Sequence, residues 1–101
     1  MLLLIAQVLS LNIALVIIGF QRDDRMDEEK RVKDDIVEFD EHYNSRINTA
    51  NEKERVIFNL AKKYRDDSEH YMEKGDLFSA FGCITYAHGL LDGILALKGE
   101  L

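Results

Sequence analysis

The stretch KGDLFSAFGCITYAHGLLDGILAL, residues 74–97, decides the fold of this chain. Gly75 suits the left-handed position that follows a helix, and Asp76 suits the N-cap of the next helix. After Asp76, the only charged side chain before residue 98 is Asp92. The sequence therefore predicts a helix over residues 77–97 that is apolar on most sides, and such a helix must be covered on most sides.

Two faces of this predicted helix differ in the size of their side chains. The bulkier face carries Leu77, Ala80, Ile84, Ala87, His88, Leu91 and Leu95. Gly82, Gly89 and Gly93 form a stripe on roughly the opposite side, with Tyr86 beside them. A glycine inside a helix costs about 1 kcal/mol relative to alanine, so the stripe indicates close approach of another backbone. We expect an interface there, with a second copy, the N-terminal segment or a partner protein.

Two amphipathic helices are predicted upstream, over residues 27–48 and 52–73. The apolar stripe of the first is Val32, Ile36, Phe39, Tyr43, Ile47 and Ala50, at helical spacing. The face of the second is Val56, Ile57, Leu60, Ala61, Tyr64, Ser68 and Tyr71. Asn51 with Glu54 fits a capping box, and Thr49 with Glu52 is an alternative. Since the chain contains no proline, we predict an all-α fold, an up-down-up three-helix bundle over residues 27–98.

The first 20 residues, MLLLIAQVLSLNIALVIIGF, carry no charge, and all 32 charged residues follow residue 21. A helix of this length spans the hydrocarbon core of a bilayer. We expect an N-terminal apolar helix that anchors the protein, a linker over residues 21–26, and a cytoplasmic domain, because the basic residues follow the segment. A signal peptide would need a basic start and a cleavage site, and this segment has neither, so an anchor is the preferred interpretation. The alternative is a cytoplasmic protein that starts at Met26.

Charge and cysteine content narrow the chemistry. The net charge is −6, which argues against nucleic acid as a partner, because phosphates need a basic surface. Cys83 is the only cysteine, so an intrachain disulfide and a cysteine-based zinc site are both excluded.

Three short pieces carry a family resemblance: EKGD at residues 73–76, AFG at 80–82 and YAHGLLDG at 86–93. With them, residues 27–97 resemble a small archaeal family of unknown function, domain of unknown function 357. The resemblance implies a three-helix bundle and an intracellular protein. It implies no catalytic residue, and it leaves out the apolar start.

Three arrangements of side chains could carry chemistry. His88 and Asp92 are one helical turn apart, so the carboxylate could orient the imidazole beside Tyr86. Arg65-x4-His70 resembles the arginine–histidine motif of helical ribonucleases of the higher-eukaryote and prokaryote nucleotide-binding group. The pairs Asp67 with His70 and Glu38 with His42 have the spacing of metal ligands on a helix, but they are only fragments of a di-iron site. We predict no metal and no cofactor.

The sequence lacks a complete catalytic site, and its last helix is apolar almost all round. We therefore predict a non-enzymatic protein-interaction or self-association module that forms a homo-oligomer or binds a protein partner, and that is tethered to a membrane by residues 1–20. The alternatives are an RNA-processing enzyme using Arg65 and His70, and a small-ligand site around Tyr86, His88 and Asp92.

Overall fold

A computed structural model describes residues 25–101 of the chain. It contains three α-helices: α1 (Arg25–Arg46), α2 (Glu52–Glu73) and α3 (Leu77–Leu97). The described residues contain no strand, so the all-α prediction is confirmed. The predicted apolar helix over residues 1–20 and most of the predicted linker lie outside the described residues.

The connection between α1 and α2 begins with a single turn of 3₁₀-helix, Ile47–Thr49. Residues 47 and 48 were predicted to continue the α-helix, and they belong to this tighter turn instead. The capping box of α2 is formed by Asn51 and Glu54, each of whose side chains accepts the other's backbone N–H. The alternative cap at Thr49 is not used, because its hydroxyl donates to the carbonyl of Arg46.

The connection between α2 and α3 is as predicted. Gly75 has φ of +81°, the left-handed conformation that glycine adopts without steric cost. Asp76 caps α3 by accepting a hydrogen bond from the Ser79 backbone N–H. The hydrogen bonds from Ser79 also hold the pKa of Asp76 below its usual value, so this end of α3 carries a negative charge.

The core of the bundle is formed by one side of each helix. Its buried apolar residues are Val32, Ile36, Phe39, Phe58, Ala61, Leu77, Ala80, Ile84, Ala87, Leu91, Ile94 and Leu95. The predicted faces of α1 and α3 are confirmed. On α2 the prediction was partly wrong, since Phe58 is buried whereas Val56, Leu60 and Tyr71 are exposed. The buried side of α2 is therefore rotated from the predicted face.

Small residues mark where α2 and α3 pack together. Ala61 on α2 and Ala80 and Ala87 on α3 are fully buried. Ser68 is buried too, and its hydroxyl donates to the carbonyl of Ala80 at 2.6 Å. This bond satisfies a polar group that would otherwise cost free energy in the core.

Charged side chains tie α1 to the α2–α3 hairpin. Arg65 of α2 donates two hydrogen bonds to the Asp40 carboxylate of α1, at 2.9 and 2.8 Å. Arg46, the last residue of α1, pairs with Glu100 just beyond α3. Because the C-terminal ends of α1 and α3 lie together, these helices run in the same direction and α2 runs opposite to both. The predicted up-down-up bundle is confirmed.

Candidate interaction surface

His88 connects α3 to α1. Its Nε2 donates to the backbone carbonyl of Asp35 at 2.8 Å, and its ring meets Phe39 edge-on, with 5.8 Å between ring centroids. A carbonyl oxygen only accepts hydrogen bonds, so this nitrogen carries the proton. The side chain is half-buried. The imidazole is therefore held by bundle packing.

The charged neighbour of His88 across the helix interface is Asp35. Burial raises the pKa of the Asp35 carboxyl, and the nearby charge of His88 opposes that rise. Asp92, which the sequence pairs with His88, is exposed, and within residues 25–101 its side chain has no hydrogen bond or ion pair. A carboxylate is near His88, but it comes from α1.

Tyr86 points away from His88. It is 52% exposed, and its ring lies 4.5 Å from that of Tyr64 on α2. His88 faces α1 and Tyr86 leans towards α2, on different sides of α3. The structure therefore does not bring Tyr86, His88 and Asp92 together as one site.

The glycine stripe of α3 faces outward. Gly82, Gly89 and Gly93 are all exposed. A Cβ atom built on any of them meets no atom within 4 Å. Within the described bundle, the helix backbones approach each other closely at the buried alanines and not at these glycines. The glycines therefore leave a shallow open surface on α3.

A groove lies beside this stripe, between α2 and α3, with a volume of about 380 Å³. Its lining residues are Tyr64, Tyr71, Ser79, Gly82, Cys83 and Tyr86. Burial, helped by the charges of Asp67 and Asp76, raises the pKa of the Cys83 thiol. A thiol that stays protonated is a poor nucleophile, so Cys83 contributes packing to the groove.

Exposed apolar side chains continue this surface along both helices. On α2 they are Val56, Leu60 and Tyr71, and on α3 they are Phe78, Tyr86 and Leu97, of which Leu97 is 87% exposed. Each set recurs at helical spacing, and the contact between Tyr64 and Tyr86 joins the two helices. We call this surface, together with the three glycines, the outer face of the hairpin. Helix α1 packs against the hairpin elsewhere and leaves it uncovered.

The apolar periodicity of α2 pointed to this face, but helical spacing alone did not distinguish it from the core. Val56, Leu60 and Tyr71 were assigned to the core because they follow apolar periodicity. An apolar stripe identifies a face that is buried against something, but it does not say whether the neighbour belongs to the same chain.

Arg65 and His70 line a separate open surface on α2, with Asp66, Glu69 and Glu73. The guanidinium of Arg65 pairs with Asp40, Asp66 and Glu69. Asp40 and then Glu69 raise the pKa of Arg65 further above its already high value. His70 is exposed, and its ring lies 6.2 Å from that of Tyr71. An arginine engaged by three carboxylates has few donors left for a phosphate.

The Asp67–His70 and Glu38–His42 pairs do not extend to a metal centre. Within the part of the chain that the structure describes, no group of three His, Cys, Asp or Glu side chains is placed to hold a metal ion.

Helix α3 is also long and apolar enough to cross a membrane, judged by length and composition. The central helix of a bundle meets the same criterion, and the inner side of α3 forms much of the core here. Packing in the core thus explains the apolar residues on the inner side of α3. The apolar residues on its outer side have no neighbouring helix in the described bundle.

These features define a class: a small acidic protein whose residues 25–101 form a three-helix bundle, in which no described residue covers one apolar face of the α2–α3 hairpin. The model of the family described as "Protein of unknown function (DUF357)" matches residues 29–98, and the chain belongs to this family. The resemblance seen in the sequence is thereby confirmed. No curated protein matches the chain.

Proposed function

We propose that this protein is a self-association module, in which the outer face of the hairpin packs against the same face of a second copy. The observation that supports this proposal is the exposure of large apolar side chains on α2 and α3, among them Leu60 and Tyr86. Contiguous apolar patches on soluble proteins commonly mark protein–protein contacts. Burying Tyr86 and Leu97 would remove much of their exposed area from water, which is the main favourable term in association.

A second copy suits this surface because its α3 side carries only one charged side chain between residues 77 and 97. The net charge of −6 makes copies of the chain repel one another in general. The outer side of α3 has one carboxylate, Asp92, along its length. Two copies can therefore approach along α3 with less repulsion than along the charged sides of α1 or α2.

A non-enzymatic role is part of the proposal. The half-buried ring of His88 is engaged by the Asp35 carbonyl, and Arg65 is engaged by carboxylates. The small-ligand alternative would need a free His88, and the ribonuclease alternative would need a free Arg65. These contacts therefore support a structural role for both side chains and weigh against both alternatives.

Attachment to a membrane through residues 1–20 is the second component. Sixteen of those 20 residues are apolar, which is enough for a span. The basic residues after the segment would place the bundle on the cytoplasmic side. A tether of this kind would also hold copies of the bundle at a high local concentration.

The test is the oligomeric state of the full-length protein in a mild non-ionic detergent, measured by light scattering after size exclusion. We expect a dimer. Gly89→Glu places a carboxylate on the outer face where the described chain leaves open space, so the fold should survive and the dimer should dissociate. Val37→Glu is the matched control, since Val37 is an exposed apolar residue on α1.

The helical circular dichroism signal checks that both variants fold. A monomeric wild-type protein would contradict the proposal. A dimer that persists in folded Gly89→Glu would also contradict it, because the contact would then lie elsewhere, including in residues 1–20.

A further inference from the structure

The residues of α3 on the outer face follow a pattern that reads the same in both directions. They are Phe78, Gly82, Tyr86, Gly89, Gly93 and Leu97. Their spacings along the helix are four, four, three, four and four residues. The midpoint of the pattern falls between residues 87 and 88, at the middle of α3 (Leu77–Leu97).

A symmetric contact between two identical helices pairs residue i with residue j and residue j with residue i. When two such helices run antiparallel about this midpoint, each residue of the pattern faces another one. Phe78 faces the partner subunit's Leu97, Gly82 faces the partner subunit's Gly93, and Tyr86 faces the partner subunit's Gly89.

We infer that two copies of the chain associate through α3 in this antiparallel register. The inference rests on the proposed self-association and specifies how the copies are arranged. In this register Gly82 and Gly93 come together, so the backbones can approach closely. The ring of Tyr86 lies over Gly89, where the built Cβ has open space. The bulky Phe78 and Leu97 close the two ends of the contact.

The charges on α3 favour this register over a parallel one. Asp76 lies at the start of α3 and is exposed, whereas Lys98, just after its end, pairs with Glu54 of α2 within the same chain. An antiparallel pair keeps the two Asp76 side chains at opposite ends of the contact. It also separates the two Asp92 residues by about 14 Å along the axis, at 1.5 Å per residue. That separation exceeds the Debye length at physiological salt.

A parallel pair would do the opposite. Asp76 and Asp92 would each face the same residue of the second copy, and like charges that face each other repel. The dipoles of the two helices would also be aligned side by side, whereas in an antiparallel pair the positive end of each lies beside the negative end of the other. Identical copies therefore keep their Asp76 and Asp92 carboxylates apart in only one of the two orientations.

The experiment is disulfide cross-linking of the full-length protein in the Cys83→Ser background, which removes the native thiol. Two single variants are prepared, Gly82→Cys and Gly93→Cys, and each is oxidised alone and after mixing. In the inferred register, two residues at position 82 lie about 16 Å apart along the axis, as do two residues at position 93. A disulfide needs Cα atoms within about 7 Å. We expect cross-linked dimers from the mixture and few from either variant alone.

The other outcomes separate the register from the proposed function. Cross-linking of each single variant with itself would show a parallel pair and would overturn the inferred orientation while self-association stands. A dimer by light scattering that cross-links in none of the three samples would place the contact outside α3 and would also overturn the register. A monomer in every sample would overturn both proposals.

Discussion

Replacing Gly89 with alanine should stabilise the bundle, although glycine stripes on helices usually indicate tight packing. A Cβ on Gly89 meets nothing within 4 Å in the described chain, so the substitution creates no clash. Alanine is favoured over glycine inside a helix by about 0.8–1.0 kcal/mol. We therefore expect the free energy of unfolding of the monomer to rise by about 1 kcal/mol, which corresponds to a melting temperature roughly 4–8 °C higher for a domain of this size.

Gly75→Ala is the control, because an added Cβ would have as much room there as at Gly89, whereas the backbone of Gly75 is in the left-handed conformation. A Cβ on Gly75 also meets nothing within 4 Å, but φ is +81°. The left-handed conformation costs a residue with a Cβ about 1–2 kcal/mol. We expect this variant to be destabilised by that amount, so that the same chemical change has opposite signs at the two positions.

The assay is urea unfolding of the full-length variants, followed by the helical circular dichroism signal over a dilution series. At the lowest concentrations, where a dimer dissociates, Gly89→Ala should be more stable than the wild type. At high concentrations the gain should shrink, because the added methyl group meets the partner subunit's Tyr86. A loss of stability at every concentration would refute the reasoning, since it would mean that the space beside Gly89 is occupied within one chain.

Two further predictions concern pH and location. Burial raises the pKa of Asp35, so the folded state holds this proton more tightly than the unfolded state does. The contribution of this proton to stability is lost as pH rises from the ordinary carboxyl pKa of 3.8 through the folded pKa. Urea unfolding across that range should show Asp35→Asn gaining stability relative to the wild type as pH rises, and parallel curves would contradict this. Separately, fractionation of cells should find the full-length protein with membranes and a variant without residues 1–20 in the soluble fraction; a soluble full-length protein would contradict the anchor.

Much of the fold follows from local features of the sequence. The capping box at Asn51 and Glu54 and the turn at Gly75 and Asp76 are short-range motifs, so their residues alone place the boundaries of α2 and α3. The core side of α3 was equally predictable, because Leu77, Ile84 and Leu91 recur at helical spacing on the side opposite the three glycines. Local hydrogen bonding and helical periodicity are properties of neighbouring residues, and a single sequence displays them directly.

The candidate surface was only partly predictable. The glycine stripe pointed to an uncovered side of α3, but the tyrosine groove needed the contact between Tyr64 and Tyr86, which are 22 residues apart in the sequence. The pairing of His88 with Asp92 followed from helical spacing alone. The structure replaced it with Asp35 of α1, since spacing within one helix cannot show which groups a neighbouring helix brings near.

The sequence by itself determined that residues 27–98 are helical, where α2 and α3 begin and end, and that α3 has more apolar surface than two amphipathic helices can cover. Only the tertiary structure decided which apolar stripe of α2 is buried and which carboxylates hold Arg65. It also showed that no residue within 25–101 covers the outer face of the hairpin. The physical reason is that periodicity records how much surface a helix must bury. The relative rotation of packed helices, which depends on contacts distant in sequence such as those of Phe58 and Ala87, decides which surface that is.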